Sequence, residues 1–273
     1  RLFDAHCDTA TRIFDAGEEL CENTGHLSLK GLREGFSSAV QVFALWTEPI
    51  YYKNALERAL SVIDYLYDQA EKNSEIFGIA TSFSDIVENE KSGKISGILS
   101  IEGCEPLGGN LRLLRIFYRL GVRLLSLTWN YRNELAYGVN DSSDLCGLTE
   151  KGRQLVAEAE RLGMALDVSH LSDKAFYDLA EIAQNPFIAS HSNARAICPN
   201  PRNLTDNQIK IIAEKGGVIG LNLYTDFLSG KGEADINDVL RHAGHILSVG
   251  GENALGFGCD LDGIGYLPAG IEN

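Results

Sequence analysis

Short apolar runs alternate with longer amphipathic stretches along the whole chain. The runs have the length of buried strands, and the stretches between them show the apolar spacing that is typical of helices. This pattern predicts eight strands, at Leu2–Ala5, Ala39–Leu45, Gly97–Ile101, Val122–Thr128, Met164–Val168, Phe187–Ala189, Val218–Leu223 and Ala254–Gly258. It predicts helices most clearly at Ala55–Lys72, Asn110–Leu120, Glu150–Leu162, Asp173–Ile182 and Thr205–Lys215.

Local signals support the predicted helix ends. Thr149, Ser172 and Thr205 each stand at the start of a predicted helix, where a side-chain oxygen can accept from a free backbone N–H group. Gly163 and Gly216 stand where two of these helices should stop, a position at which glycine is common. These signals predict the boundaries of three helices.

The alternation of strands and helices predicts a parallel sheet with crossover helices, and hence an α/β fold. Such a sheet can remain open and doubly wound, or it can close; the count of eight favours a (β/α)8 TIM-type barrel. An open sheet commonly carries a Gly-rich phosphate loop after its first strand, whereas this chain continues with Ala5-His6-Cys7-Asp8. We expect a single domain over residues 1–273. Too few residues follow the last predicted strand to form a closing helix, so either the barrel lacks that helix or the C-terminal segment is missing.

Charge and cysteine content narrow the functional classes. The chain has 273 residues, a net charge of −14 and no cluster of Lys or Arg, which argues against a nucleic-acid partner or an anionic membrane surface. No apolar run approaches the ~20 residues that a membrane-spanning helix needs. The six cysteines are scattered without a C-x-x-C pair, so we expect reduced thiols and a cytoplasmic location rather than a structural zinc ribbon.

Polar residues follow several predicted strands at their C-terminal ends, which is the face where barrel enzymes place their active sites. Asp260 and Asp262 follow the last strand. Five further residues of metal-binding type stand at strand ends, namely His6, Asp8, Glu102, His170 and His191. The remaining histidines, His26, His242 and His245, do not end strands. His26 falls in a predicted loop, whereas His242 and His245 fall on a predicted helix, where we expect structural roles.

The spacing of His6 and Asp8 suits a metal site. Alternate residues of a strand face the same side, and an imidazole with a carboxylate can bind a divalent ion such as zinc. The two oxygens of Glu102 could bridge a pair of ions ~3.5–4 Å apart with a hydroxide between them. Each of these residues alone is more commonly a cap, an ion-pair partner or a polar residue at the barrel mouth. Their coincidence on one face favours the metal site.

Six stretches together resemble the membrane (renal) dipeptidase family, peptidase family M19. The resemblance runs in order from the first residues to about Pro268. The stretches are Asp4-Ala5-His6-Cys7-Asp8, Ile101-Glu102-Gly103, Asp167-Val168-Ser169-His170, Ser190-His191-Ser192, Pro201-Arg202-Asn203-Leu204-Thr205-Asp206 and Gly258-Cys259-Asp260-Leu261-Asp262-Gly263.

The resemblance implies a (β/α)8 barrel, a homodimer, a binuclear zinc site and hydrolysis of dipeptides, including those with a D-residue at the C-terminal side. It implies that His6 and Asp8 bind one zinc, that His170 and His191 bind the other, and that Glu102 bridges both.

The resemblance also assigns residues to the substrate. Arg202 would pair with the terminal carboxylate of the dipeptide, a role that suits the planar guanidinium fork. Asp260 would accept a proton from the attacking water and pass it to the leaving amine.

One position departs from the family pattern. Renal members carry a histidine after Leu-Thr at the end of a strand, but here Trp129 follows Leu127-Thr128. An indole is a single neutral donor, so Asn130 or Tyr131 could supply a substitute contact to substrate, or Trp129 could simply pack at the barrel rim. Tyr224, after the seventh predicted strand, could line the same pocket.

Two other functions remain open at this stage. One is another amidohydrolase-type barrel acting on a lactone, a cyclic amide or a phosphoester. Such enzymes commonly show His-x-His on the first strand and a carboxylated lysine, neither of which this sequence offers. The other is a non-catalytic metal-binding barrel, against which the presence of both Arg202 and Asp260 counts.

Overall fold

The computed structural model describes residues 1–141 and 147–271 and contains, within them, one sheet of eight parallel strands. The strands are β1 (Leu2–Cys7), β2 (Ala39–Trp46), β3 (Phe77–Ile79), β4 (Ile95–Glu102), β5 (Val122–Ser126), β6 (Ala165–Asp167), β7 (Ile219–Leu221) and β8 (Leu255–Phe257). Seven of them pair in the order β6-β5-β4-β2-β1-β8-β7, and β3 pairs with the first residues of β4. Because every pair is parallel, all carboxyl ends meet at one edge of the sheet.

The α-helices of the described residues connect these strands. They are α1 (Thr9–Ala16), α2 (Leu29–Gly35), α3 (Ala55–Lys72), α4 (Phe83–Lys91), α5 (Leu111–Arg119), α6 (Glu150–Leu162), α7 (Asp173–Ile182), α8 (Asp206–Glu214), α9 (Thr225–Leu228) and α10 (Ile236–Gly250). Their apolar faces cover the strands and bury a core that includes Phe43, Phe77, Phe117, Phe176 and Phe187.

The predicted helix ends are confirmed. Thr149 and Ser172 accept from the backbone N–H groups of the third residue of α6 and of α7, respectively. Thr205 forms a complete capping box at the start of α8. Gly163 ends α6 in the left-handed conformation, at a φ of 76°, which glycine adopts at little cost.

One predicted strand is wrong, and one observed strand was not predicted. The segment Phe187–Ala189 is not a strand but makes two isolated bridges, from Ile188 to Asp167 and from Ala189 to Ile219. Each residue bonds a different neighbour, so no continuous ladder develops. Conversely, the sequence pattern missed β3, which has only three residues and pairs with the start of β4.

The register of the sheet explains how the site assembles. Trp46 on β2 lies opposite Glu102 on β4, which lies opposite Ser126 on β5, and Ser126 lies opposite Asp167 on β6. These four residues therefore form one row across neighbouring strands at their carboxyl ends. The first strand differs, because its pairing with β2 is irregular between Asp4 and Cys7.

Candidate metal centre

The five residues predicted to bind metal converge at the carboxyl edge of the sheet. His6 lies in the irregular end of β1, and Asp8 is the residue that precedes α1. Glu102 is the last residue of β4, while His170 and His191 lie in the loops that follow β6 and the 187–189 segment. All five are buried.

Two overlapping clusters share Glu102. In the first, His6 Nε2 lies 3.4 Å from Asp8 Oδ2 and 3.4 Å from Glu102 Oε2. In the second, Glu102 Oε1 lies 2.8 Å from His170 Nε2 and 3.5 Å from His191 Nε2. Each cluster contains three potential ligand atoms close enough for one divalent ion. Glu102 thus presents one oxygen to each cluster.

The donor set fits a pair of divalent ions. His6 Nε2 and Asp8 Oδ1 are buried and have no hydrogen-bond partner within residues 1–141 and 147–271. The Nε2 atoms of His170 and His191 approach to 2.8 Å, so two nitrogens face the same point. A buried polar atom without a partner is costly, and a metal ion would give His6 Nε2 and Asp8 Oδ1 the partner that they lack. A second ion could accept the lone pairs of the two facing nitrogens of His170 and His191.

The two imidazoles of the second cluster have lowered pKa values, which keep them in the neutral form. Burial, together with the neighbouring Arg202 guanidinium, lowers the pKa of His170 to about 4, although Glu102 acts in the opposite direction. Burial also holds the pKa of His191 well below its ordinary value. Both rings are therefore neutral near pH 7, the form that binds metal.

The carboxyl groups of Glu102 and Asp260 have pKa values that are shifted in opposite directions. Burial alone would raise the pKa of Glu102, but the adjacent His6 and His170 bring it below its ordinary value. Burial raises the pKa of Asp260 to about 8, and the nearby Asp8 and Glu102 charges add to that effect. Such divergent carboxyl groups in one cavity are typical of catalytic sites.

Backbone strain is concentrated here. Among the described residues other than glycine, His170, Asp260 and Asp262 are the ones with positive φ, at 71°, 61° and 66°. The left-handed region is unfavourable for these residues and persists where the surrounding structure holds it, often at functional sites. Asp262 is fixed by Thr9 Oγ1 and by the backbone N–H of His26, both at 2.6 Å.

Arg202 and Asp260 flank the clusters. Arg202 is buried, and its Nη2 lies 3.2 Å from His170 Nε2 while its Nε has no hydrogen-bond partner among the described atoms. Asp260 Oδ2 accepts from Asn222 Nδ2 at 2.8 Å, and its Oδ1 lies 3.7 Å from His6 Nε2. A guanidinium and a carboxyl group are thus held on the rim of the candidate metal site.

A cavity of about 410 Å³ opens over these groups, a size suited to a small ligand. The residues predicted to contact substrate, Trp129, Asn130 and Tyr224, line it, as do Arg202 and Asp260. The rings of Trp129 and Trp46 lie 5.4 Å apart, so Trp129 both packs at the rim and faces the cavity. Tyr131 is half exposed and does not line the cavity.

Sequence reasoning missed several lining residues. They are Thr11, Arg12, Asp15, Trp46, Phe227, Gly263 and Ile264. Trp46 could have been found, because it follows the second predicted strand as Glu102 follows the third. The others come from α1, α9 and the last loop, whose positions depend on how those segments fold back over the sheet.

A parallel sheet whose carboxyl edge holds His, Asp and Glu clusters beside a buried Arg defines a metal-dependent hydrolase. The family model of membrane dipeptidases, peptidase family M19, matches residues 1–273. The chain belongs to this family, and it is a metallopeptidase of the dipeptidase type.

Solved structures and curated relatives agree with this assignment. A metallo peptidase from Rhodobacter sphaeroides, bound to a phosphinate mimic of L-Ala-D-Ala, is 32% identical with a TM-score of 0.92 and covers 100% of this chain and 88% of its own. A dipeptidase described as an M19 metallo peptidase is 34% identical with a TM-score of 0.91, and the match covers 99% of this chain and 87% of that one. Human dipeptidase 3 is 32% identical over 91% of this chain, and the match spans 51% of the length of the human protein.

No helix within residues 1–141 and 147–271 combines the length and the apolar character needed to cross a membrane.

Proposed function

We propose that the chain is a binuclear zinc dipeptidase in which Glu102 bridges the ions, with His6 and Asp8 on one side and His170 and His191 on the other. The observation that carries this proposal is the position of Glu102, whose two oxygens point into separate clusters of buried ligand atoms. A single ion would engage only one of the two clusters, whereas each of them offers three ligand atoms close enough for an ion of its own.

Bound zinc ions supply a Lewis acid for the scissile carbonyl and a water acidic enough to ionise near neutral pH. The chain supplies the remaining chemistry. Arg202 receives the terminal carboxylate of the dipeptide, which fixes the scissile bond over the clusters. Asp260 Oδ1, on the side of His6, would take the proton of the attacking water and deliver it to the leaving amine, while Asn222 holds the other oxygen. Cations at the clusters would offset the Asp8 and Glu102 charges that raise its pKa, and would so favour the ionised form that this transfer needs.

The fold and assembly belong to the same proposal. The backbone of Ile188 bonds to Val168 and Leu166, and that of Ala189 bonds to Val218 and Gly220. These bonds support closure of the sheet into a (β/α)8 barrel through residues 187–189. A homodimer is expected from the family, and light scattering at several protein concentrations tests it.

Substrate preference is tested with matched dipeptides. The relative bound to the L-Ala-D-Ala mimic supports a site that accepts a D-residue at the C-terminal side. Zinc-loaded protein should hydrolyse L-Ala-D-Ala at least as fast as L-Ala-L-Ala, measured by amine release. Lactones and phosphotriesters serve as the comparison, and turnover of these but not of dipeptides would reject the dipeptidase assignment.

The role of Asp260 is tested against a neighbouring carboxylate. Asp260→Asn should lower kcat by about 10²- to 10⁴-fold, because the amide cannot carry the proton. Asp262→Asn is the matched control, since Asp262 also has positive φ but bonds Thr9 and His26 rather than facing His6. Equal losses in both variants would contradict the proposed proton transfer.

A further inference from the structure

The two histidines of the second cluster each have a hydrogen-bond partner on the ring nitrogen that faces away from Glu102. His170 Nδ1 lies 2.7 Å from Asn130 Oδ1, and His191 Nδ1 lies 2.7 Å from Ser190 Oγ. The Nε2 atoms of both rings face Glu102 Oε1. The ring orientation is therefore held from outside the cluster in both cases.

The hydrogen-bond direction at His191 follows from its neighbour. Ser190 Oγ lies 2.6 Å from Asp167 Oδ2, and a carboxylate can only accept, so the hydroxyl proton points to Asp167. The Ser190 oxygen is then left to accept from His191 Nδ1–H. This arrangement keeps the proton off Nε2 and leaves its lone pair directed at the cluster.

Asp167 holds Ser190 in place, because its carboxylate accepts four hydrogen bonds. Its Oδ1 accepts from the backbone N–H groups of Ser169 and Ser190 at 2.9 and 2.8 Å. Its Oδ2 accepts from Ser126 Oγ and Ser190 Oγ, both at 2.6 Å. Asp167 is buried at the end of β6, and it thereby fixes the residues that immediately precede His170 and His191.

We propose that Asn130, and Asp167 acting through Ser190, are positioning residues that set the metal affinity of the subsite formed by His170 and His191. This inference rests on the proposed binuclear site. Asn130 thus has a task besides facing substrate, because its oxygen is engaged by His170. Outer partners of metal-binding histidines fix the tautomer and the ring orientation, and removing them commonly weakens metal binding.

The test compares two serines that make the same bond to Asp167. Ser190→Ala and Ser126→Ala each remove one hydroxyl donor from Asp167 Oδ2 at the same distance, but only Ser190 touches His191. Stepwise zinc binding is measured against a competing chelator. We expect Ser190→Ala to weaken one of the two zinc-binding steps by about 10- to 100-fold and Ser126→Ala to leave both steps close to the wild type.

A second pair of variants tests the other ring. Asn130→Ala removes the acceptor for His170 Nδ1–H and should weaken the same zinc step. Asn130→Asp retains an acceptor oxygen and should bind zinc at least as tightly as the wild type. Weakening by both substitutions to the same extent would overturn the positioning role of this oxygen.

The outcomes separate the inference from the function on which it rests. Wild-type protein that binds two zinc ions, with Ser190→Ala and Ser126→Ala indistinguishable in affinity, overturns the inference alone. Wild-type protein that binds none overturns both. If Ser190→Ala fails to fold, the ring N–H proton resonances of zinc-loaded wild-type protein decide: both Nδ1–H protons should lie at the low field of hydrogen-bonded N–H groups, as the bonds to Asn130 and Ser190 require. Bound zinc together with an Nδ1–H proton at the field of an unbonded group overturns the proposal and leaves the metal site standing.

Discussion

Glu105 has a half-buried carboxyl group three residues beyond Glu102, the proposed bridge. Its Oε1 accepts from Asn133 Nδ2 at 3.1 Å, and no cation lies within ion-pairing distance among residues 1–141 and 147–271. Burial raises its pKa to about 7, with the charges of Glu134 and Glu102 adding to the effect. The protonated form is therefore favoured by the folded state.

This shift predicts a pH-dependent stability. A carboxyl group whose pKa is raised by folding stabilises the fold fully below its unfolded pKa, and the contribution is lost as the pH rises through the folded value. Glu105→Gln should therefore match the wild type at about pH 4 and be more stable by about 1–3 kcal/mol at about pH 8. Thermal unfolding at both pH values measures the difference, and a variant that is less stable at the higher pH would contradict it.

Arg202 gives a prediction about substrate binding. Arg202→Lys retains the charge but loses the planar fork, so kcat/KM for a dipeptide should fall by about 10- to 100-fold. The same dipeptide with an amidated C-terminus lacks the carboxylate and should be a poor substrate of both proteins. If the substitution costs as much for the amide as for the free acid, Arg202 does not bind the carboxylate.

Two helical glycines look alike in the sequence but meet different surroundings. An added Cβ at Gly152 in α6 would lie 2.1 Å from the Leu135 carbonyl oxygen, whereas one at Gly244 in α10 would meet nothing within 4 Å. Ordinary helix propensity favours alanine over glycine by about 1 kcal/mol.

These surroundings predict opposite effects of the same substitution. Gly244→Ala should stabilise the protein by about 0.5–1 kcal/mol. Gly152→Ala should destabilise it by about 1–3 kcal/mol, because the loop at Leu135 must move away. Denaturant unfolding of both variants measures the sign, and stabilisation by both would show that α6 does not contact this loop closely.

The elements differ in how clearly the sequence predicts them. The helices α3, α6 and α7 have full amphipathic periods, and each was predicted at its observed bounds; α6 and α7 also have capping side chains. The seven-residue α2 and the three-residue β3 were not given bounds, because too few turns or strand residues are present to show a period. Length alone does not decide this, since α4 was also not given bounds although α5 and α8, with the same nine residues, were.

Metal removal tests the molecule as a whole. A ligand that binds only the folded state stabilises it, by about 2.7 kcal/mol at a concentration 100-fold above Kd. A strong chelator should therefore lower the unfolding temperature of the wild type measured by calorimetry. Glu102→Gln should lose most of this dependence, and His245→Asn, outside the clusters on α10, should keep it. If the chelator does not change the unfolding temperature of the wild type, the proposed metal site is contradicted.

The sequence by itself determined the α/β class, the order of most strands and the list of candidate ligands, because apolar periodicity and residue type are local properties. Family resemblance added the assignment to the dipeptidases, which the comparisons bear out. The roles of the individual ligands stay predictions.

Only the tertiary structure decided which atoms meet. Strand register places Glu102, Ser126 and Asp167 in one row, and no local pattern encodes that alignment. Irregular pairing in β1 and the left-handed backbone of His170 aim the imidazoles at Glu102. Such geometry depends on contacts between residues that are distant in the chain, which is why the anchoring of His191 by Asp167 and Ser190 emerged from the fold and not from the motifs.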